Sequence, residues 1–375
     1  MQFQTPLPER FNRMDMKEMA SRVSSLRSEF GNRLVILCHH YQKDEVFEFA
    51  DYTGDSYKLS QLASEREEAE TIVFCGVHFM AESADILKKG DQRVILPDLG
   101  AGCSMADMAD IDQVEECWET LANLVDPLDI LPITYMNSSA AIKALCGREG
   151  GAVCTSSNAE TVFQWAFDQG KRILFLPDEH LGRNVGWEMG VRLDEMPVYD
   201  PHQEFGGCAA DELRDAKVIL WKGHCSVHGR FLPEHVDRMR ETYPGIRVIV
   251  HPECRYEVVQ KADDWGSTEK IIREVTASPP GSKWAVGTEQ HLVDRLAAQN
   301  SDKEVYSLSG FVCQCATMYR IDLPHLLWVL ENLAEGEVKN QITVPPDEAE
   351  WARVALRRML DSSPAGAGLS LSRVD

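Results

Sequence analysis

The sequence lacks any long apolar run: no stretch approaches the roughly 18 residues that a membrane-spanning helix needs. Its N-terminus, MQFQTPLPERFNRMDMKEMA, has none of the apolar core of a signal peptide. Basic charge is also scarce, because 38 Lys and Arg face 60 Asp and Glu, a formal net charge of −22. These deficits argue against a membrane or nucleic-acid partner, since both bind basic surfaces. They predict a cytoplasmic protein with reduced cysteines.

Several functional motifs are missing as well. The chain has no G-x-G-x-x-G after a strand, no G-x-x-x-x-G-K-S/T, no H-E-x-x-H and no G-x-S-x-G. Dinucleotide-binding, P-loop, zincin and serine-hydrolase functions therefore have no support. The doublet C-Q-C near the end is not a usual zinc half-site either, and no second pair completes it.

What the chain does contain is a repeated pattern. Its 375 residues, 44% of them hydrophobic, are enough for two or three domains. Short apolar runs alternate with helical stretches of roughly ten residues, which is typical of α/β folds with parallel sheets. The pattern occurs three times. The predicted strands are LVILC, TIVFCG and RVILPD, then ITYMNSS, LFLPDEH and ILWKGHCSVH, then RVIVHPEC, WAVGTE and VYSLSG.

The three copies predict three α/β units. A short helix is expected at about 44–51, and Gly, Pro and acidic residues mark a surface insertion in the second copy. The tail SSPAGAGLSLSRVD is expected to be disordered. The predicted units span 1–117 with an N-terminal helical lead, 118–241 with the insertion at about 188–208, 242–340, and 341–375 with a C-terminal helix and the tail.

Three of the eleven cysteines follow the last strand of a copy: Cys103, Cys225 and either Cys313 or Cys315. Cys103 lies 27 residues after Gly76 of TIVFCG, whereas Cys315 lies 28 and Cys313 lies 26 residues after Gly287 of WAVGTE. Spacing therefore does not choose between the doublet's sulfurs. Three thiolates suit either zinc or a four-iron, four-sulfur (4Fe-4S) cluster with one open iron. The cysteines predicted to be packing or surface residues are Cys38, Cys75, Cys117, Cys146, Cys154, Cys208 and Cys254.

Hydroxyl residues precede a helix in each copy, at Ser56, Ser156 and Ser267-Thr268. Such residues are common N-caps that need no ligand. However, the free N–H groups and the dipole of a helix N-terminus also favour anions. Three such ends around one cavity predict a small substrate with several negative charges.

Polar residues follow the first strand of each copy, where ligands of open α/β sheets bind. A single His or Tyr is more often structural, but His, Glu and Tyr move protons near neutral pH, so the group as a whole predicts acid–base chemistry. The group comprises His39 and Tyr41, Tyr135 and Asn137, His251 and Glu253, and His228 after Cys225.

Longer motifs resemble a known family. HHYQKDEVFEFADYTGDS, IVFCGVHFMAESADIL, LPDLGAGCSMAD, YMNSSAAIKAL, CTSSNA, HPECRYEVV and GST together resemble the quinolinate synthases, the A protein of NAD biosynthesis. The resemblance covers about 80% of the chain, from about Leu34 to Glu335.

The resemblance implies three similar three-layer α/β/α domains with parallel sheets, related by pseudo-threefold symmetry, with a 4Fe-4S cluster at their junction. It implies a transferase- or dehydratase-type condensation of iminoaspartate with dihydroxyacetone phosphate to quinolinate, phosphate and two waters. Cys103, Cys225 and Cys315 match the cluster ligands, the last because Met318 completes the family's C-x-x-M. The residues that match the substrate pocket are His39, Tyr41, Ser56, Tyr135, Asn137, Ser156, His228, His251, Glu253, Ser267 and Thr268.

Among the pocket residues, Tyr41, His251 and Glu253 are the candidates for proton transfer, with Glu253 as the leading base. The chain departs from the family at His40, where Tyr is common, and at Ala316, where Pro is frequent. The expected partners are the two anionic substrates and the enzyme that supplies iminoaspartate. Two other functions use the same thiolates: an iron–sulfur redox sensor or electron carrier, and a zinc-dependent lyase.

Overall fold

The computed structural model describes residues 4–311 and 313–362. These residues form two compact units. The first unit contains residues 4–103 and 314–345, and the second contains residues 104–311, 313 and 346–362. No helix within the described ranges is long and apolar enough to cross a membrane.

The first unit is built on the first sheet, which follows two N-terminal helices. Its elements are α1 (Glu9–Arg13), α2 (Met16–Phe30), β1 (Leu34–His39), α3 (Asp44–Phe47), β2 (Tyr52–Gly54), α4 (Ser56–Glu65), β3 (Thr71–Cys75), α5 (His78–Leu87) and β4 (Arg93–Ile95). β1 pairs in parallel with β2 on one side and β3 on the other, and β3 pairs with β4. β1 and β3 are buried along their whole length, as expected for strands covered on both faces.

The second sheet lies in the second unit. Its elements are α6 (Ile111–Leu124), β5 (Ile130–Tyr135), α7 (Ala140–Arg148), β6 (Ala152–Cys154), α8 (Ala159–Asp168), β7 (Arg172–Leu176), α9 (Glu179–Glu188), β8 (Val198–Tyr199), α10 (Ala210–Asp215) and β9 (Val218–Trp221). The strands are parallel, in the order β6-β5-β7-β9-β8. β8 comes from the predicted insertion and adds an edge strand, where Tyr199 stacks on Trp221.

The third sheet lies in the same unit. Its elements are α11 (Pro233–Thr242), β10 (Arg247–Val250), α12 (Tyr256–Lys261), β11 (Asp264–Trp265), α13 (Thr268–Ala277), β12 (Lys283–Gly287), α14 (Gln290–Gln299) and β13 (Glu304–Ser307). The strands are parallel, in the order β11-β10-β12-β13.

The last described elements return to the two units. They are α15 (Leu323–Ala334), β14 (Gln341–Ile342) and α16 (Pro346–Asp361). β14 pairs antiparallel with β4 in the first unit. In the second unit α16 packs so closely on α7 that a methyl group on Gly147 would overlap the carbonyl of Trp351.

Apart from the added edge strands β8 and β14, the strand order is the same in all three sheets: the first strand of each repeat has the second on one side and the third and fourth on the other. The chain therefore leaves the first and third strands in opposite directions, and ligands of open α/β sheets bind at this switch point. The predicted α/β class with parallel sheets is confirmed.

Three sequence-based expectations concern the helix at about 44–51, the C-terminal tail and the domain boundaries. The helix expected at about 44–51 ends at Phe47, because the chain turns into β2 at Tyr52. The tail at 363–375 lies outside the described residues, and the proposed domain boundaries near 117, 241 and 340 remain a prediction.

Candidate active site

Glu253 is the centre of a buried cluster at strand ends in the second unit. It lies between β10 and α12 and is 3% exposed. Its Oε1 accepts a hydrogen bond from the Tyr135 hydroxyl at 2.7 Å, and its Oε2 lies 2.8 Å from Nδ1 of His228. The ring of His251 stacks on that of His228, with centroids 4.5 Å apart. Three predicted residues, Tyr135, His228 and His251, thus come together around the carboxylate of a fourth, Glu253.

The electrostatics of this cluster favour an ionised Glu253 beside a neutral His251. Burial alone would raise the pKa of Glu253, but the neighbouring imidazoles and the hydrogen bonds from His228 and Tyr135 hold it below its usual range. Burial, with the nearby His228, lowers the pKa of His251 to about 3, although Glu253 opposes the shift. Near neutral pH the cluster therefore offers a proton acceptor, Glu253.

The hydrogen bonds also define the proton positions on the two imidazoles. An ionised carboxylate only accepts, so His228 donates from Nδ1 to Glu253, and its Nε2 faces the Thr288 hydroxyl at 3.1 Å. Nδ1 of His251 accepts the backbone N–H of Glu253 at 3.4 Å, which places the proton of the neutral ring on Nε2. Each ring is thus held in one orientation.

Two residues of this region escaped sequence reasoning. Thr288, which follows β12, contacts His228, and Asp178, which follows β7, interacts electrostatically with Glu253. Burial and the Glu253 charge raise the pKa of Asp178 well above its usual range, against backbone hydrogen bonds from Leu181 and His180. Both residues follow the third strand of their repeat, so the switch-point rule would have found them.

Several buried polar atoms at strand ends lack a hydrogen-bond partner among the described residues. They include Oδ1 of Asn137, Oδ2 of Asp178 and Oγ1 of Thr268, which follow β5, β7 and β11. Buried polar atoms in proteins are nearly always paired. Such atoms at the carboxyl ends of strands are available to a polar ligand.

The predicted hydroxyl residues lie at helix N-termini in two of three repeats. Ser56 is the first residue of α4, which Asp55 caps, and Thr268 is the first residue of α13, which Ser267 caps. Because each is the first residue of its helix, Thr268 is the structural equivalent of Ser56. Ser156 lies in the turn three residues before the start of α8.

The first unit brings two of its predicted site residues together. His39 ends β1, and its ring lies edge-on to that of Tyr41, with centroids 4.7 Å apart. Nδ1 of His39 accepts the backbone N–H of Tyr41 at 3.2 Å. His40, the position that departs from the family pattern, is buried, and its N–H donates to the Gly54 carbonyl.

The three predicted ligand cysteines, Cys103, Cys225 and Cys315, occupy equivalent loops. Each is followed after three residues by a 3-10 turn and after eight residues by a helix. The helices are α6, α11 and α15. Cys313 fits neither spacing. The distance in sequence from each cysteine to the following helix could have shown this difference.

The three predicted ligand cysteines also differ from Cys313 in their solvent exposure. The thiols of Cys103, Cys225 and Cys315 are half-buried, whereas Cys313 is 1% exposed and contacts Oγ of Ser309 at 3.4 Å. Thiolates are the usual ligands of iron–sulfur clusters, and each of the three equivalent loops carries one half-buried thiol.

One of these cysteines borders the Glu253 cluster. Ligand atoms of Cys225, His228 and Glu253 lie within 4.8 Å of one another, which is close enough for the three to hold a metal ion. Acid–base groups and a candidate metal ligand therefore share one corner of the second unit.

Repeated parallel sheets with a buried acid–base cluster at a switch point are typical of an α/β enzyme. Comparison with known proteins identifies the family. The family model described as quinolinate synthetase A protein matches residues 21–361. The chain belongs to the quinolinate synthase family.

Curated relatives named quinolinate synthase are similar to this protein over nearly the whole chain. A quinolinate synthase of Acidobacterium capsulatum is 61% identical over 346 residues, which cover 92% of each chain. One from Geobacillus sp. strain WCH70 is 57% identical and covers 94% of this chain and 96% of its own. One from Streptomyces coelicolor is 56% identical over 92% of this chain and 88% of its own.

Proposed function

We propose that this chain condenses iminoaspartate with dihydroxyacetone phosphate and releases quinolinate, phosphate and two waters. The reaction belongs to de novo NAD biosynthesis in the cytoplasm, and it combines a condensation with dehydration. The observation that carries the proposal is the buried Glu253 carboxylate within hydrogen-bond distance of Tyr135 and His228. Such a reaction needs a fixed base and proton donors in one place. Membership of the quinolinate synthase family supports the same conclusion.

The residues that would hold the cofactor, a 4Fe-4S cluster, are Cys103, Cys225 and Cys315, one from each equivalent loop. With three protein ligands, one iron stays open. When bound, the cluster supplies a Lewis acid that polarises a substrate oxygen and assists the loss of water.

Substrate anions would bind at the helix N-termini. Ser56 opens α4 and Thr268 opens α13, so the backbone N–H groups of their first turns would bind carboxylate or phosphate oxygens. The buried Oδ1 of Asn137 and Oγ1 of Thr268 would gain partners from the substrate. His39, Ser156 and Ser267 complete the proposed binding set.

Proton transfer would be divided among three residues. Glu253 is the proposed proton acceptor, because its carboxylate is ionised near neutral pH. The neutral His251 carries its proton on Nε2 and can donate a hydrogen bond from it to a substrate oxygen, and Tyr41 is a second donor. Tyr135 and His228 hold the two oxygens of Glu253 in place.

The decisive experiment is purification without oxygen, followed by metal analysis and a quinolinate assay with both substrates. We expect a brown protein with about four irons and four sulfides per chain. Air should remove colour and activity together, and iron, sulfide and reductant should restore both. Activity in metal-free protein would end the cluster hypothesis.

A second candidate, a zinc-dependent lyase, is favoured by one observation, the proximity of Cys225, His228 and Glu253. Cysteine, histidine and glutamate are all zinc ligands. The same purification separates the two, because a colourless, active protein with one zinc would favour the lyase. An electron carrier would instead show a fully ligated cluster and no quinolinate formation.

A further inference from the structure

Helix α9 approaches the second sheet unusually closely. A methyl group on Gly182 would lie 2.5 Å from the Phe175 ring and 2.6 Å from a methyl of Leu220. Glycine lowers helix propensity, so its presence here reflects close packing. The helix is therefore fixed to the strands beneath it.

The same helix reaches the loop that carries Glu253. Asn184, in the interior of α9, is 2% exposed, and its Nδ2 donates to the carbonyls of Pro252 and Cys254, both at 2.8 Å. Both hydrogens of the amide are used, one on each side of Glu253. Asparagine is a poor residue for a helix interior, so a tertiary role accounts for it better than helix propensity does.

We infer that Asn184 is a positioning residue that holds the main chain on both sides of Glu253 and so fixes the carboxylate for proton transfer. The inference rests on the proposed function, in which Glu253 is the base. Tyr135 and His228 orient the carboxylate from its far end, whereas Asn184 acts on its backbone.

A second contact joins α9 to the same segment. The ring of Trp187, one turn after Asn184, meets that of Tyr256 edge-on at 5.5 Å, and Tyr256 begins the helix after the Glu253 loop. Trp187 is 39% exposed, so this contact lies at the surface. Asn184 is the buried part of the connection.

The kinetic test compares Asn184→Ala with Asn300→Ala. Asn300 is also buried in the second unit, and its Nδ2 donates to a single helix carbonyl, that of Leu296. We expect Asn184→Ala to lower kcat about 10- to 100-fold with KM within about twofold, since small misplacement of a catalytic group slows the reaction. Asn300→Ala should leave kcat within about twofold. Equal kcat losses in the two variants would overturn the inference.

A double-mutant cycle asks whether Asn184 acts through Glu253. In a Glu253→Gln background, adding Asn184→Ala should cost less than about threefold in kcat, because the group it positions is already disabled. A full additional 10- to 100-fold loss would mean that Asn184 acts independently, and the inference would fail.

Hydrogen exchange tests the clamp without any assay of activity. In intact protein, peptides spanning 251–257 should exchange faster in Asn184→Ala than in wild type or Asn300→Ala. Asn184→Leu, which fills nearly the same volume without a donor, should show the same change if Ala prevents folding. Unchanged exchange in a folded variant would overturn the clamp. An inactive wild type would instead refute the proposed function and leave this result valid.

Discussion

The first and third sheets end their first strands in the same local structure with different chemistry. In both, Nδ1 of a histidine accepts the backbone N–H two residues later: His39 from Tyr41 at 3.2 Å and His251 from Glu253 at 3.4 Å. The turn is therefore a repeated feature, and the residue that it presents is what differs.

The two repeats also share an aspartate that binds the backbone of the strand before the turn. Oδ2 of Asp51 accepts the N–H of Ile36 in β1 at 2.8 Å, and Oδ2 of Asp263 accepts that of Val248 in β10 at 2.7 Å. Each aspartate also pairs with an arginine of the helix that precedes its sheet. Repeats can thus keep one framework while exchanging a single functional side chain.

The exchanged side chains have complementary uses. A phenol keeps its proton near neutral pH, whereas a carboxylate has lost it. Tyr41 in the first repeat is therefore suited to donate a proton, and Glu253 in the third to accept one. The comparison teaches that the proposed acid and base arise from one turn used twice.

The largest effect is expected at the cysteine loops, where the comparison between repeats selects Cys315 over Cys313. Cys315→Ser should abolish both the cluster and quinolinate formation, because a half-buried thiol at the position equivalent to Cys103 is lost. Cys313→Ser should retain both. Iron and sulfide analysis with a quinolinate assay checks this, and the opposite pattern would move the ligand to Cys313. Loss in both variants would favour a fully ligated cluster.

The next effect concerns the base itself. Glu253→Gln keeps the shape but removes the acceptor, so kcat should fall by about 10²- to 10⁴-fold while the iron content is unchanged. Steady-state rates and metal analysis on the same preparation provide the measurement. A rate within about threefold of wild type would make Glu253 structural only.

The sequence predicted the long elements and the residues that meet around Glu253. β1, β3 and β5 are continuous buried runs, so their apolar letters identify them. β2 and β11 have three and two residues, too few for any periodicity, and they exist through pairing with β1 and β10. Edge strands of this length depend on tertiary contacts.

The same distinction applies to the site. Tyr135, His228 and Glu253 were predicted because polar residues at strand ends stand out in an apolar pattern. Thr288 does not stand out from its neighbours in this way. The hydrogen bonds of Asn184 join residues that are 68 and 70 positions apart in the sequence. No local pattern encodes which distant carbonyl an amide will reach.

A smaller effect should distinguish the first repeat from the third. Tyr41→Phe removes the hydroxyl but leaves the backbone N–H that His39 accepts, so the turn should persist. We expect kcat to fall about 10- to 100-fold, less than in Glu253→Gln, if the phenol is one of two donors. Rates for both variants, measured under identical conditions, test the order. A larger loss of kcat in Tyr41→Phe than in Glu253→Gln would contradict the proposal that the base lies in the third repeat.

The smallest expected effect is at Thr288, whose hydroxyl faces Nε2 of His228 at 3.1 Å. Thr288→Val keeps the volume but removes this partner, so His228 holds Glu253 less firmly. A single neutral hydrogen bond contributes about 0.5–1.5 kcal/mol, which corresponds to about a twofold to tenfold loss in kcat. Thr134→Val is the control, because Thr134 is equally buried and its hydroxyl donates to a backbone carbonyl, that of Tyr135. If both variants lose the same activity, the effect is one of packing, whereas a loss confined to Thr288→Val shows that the imidazole needs its second partner.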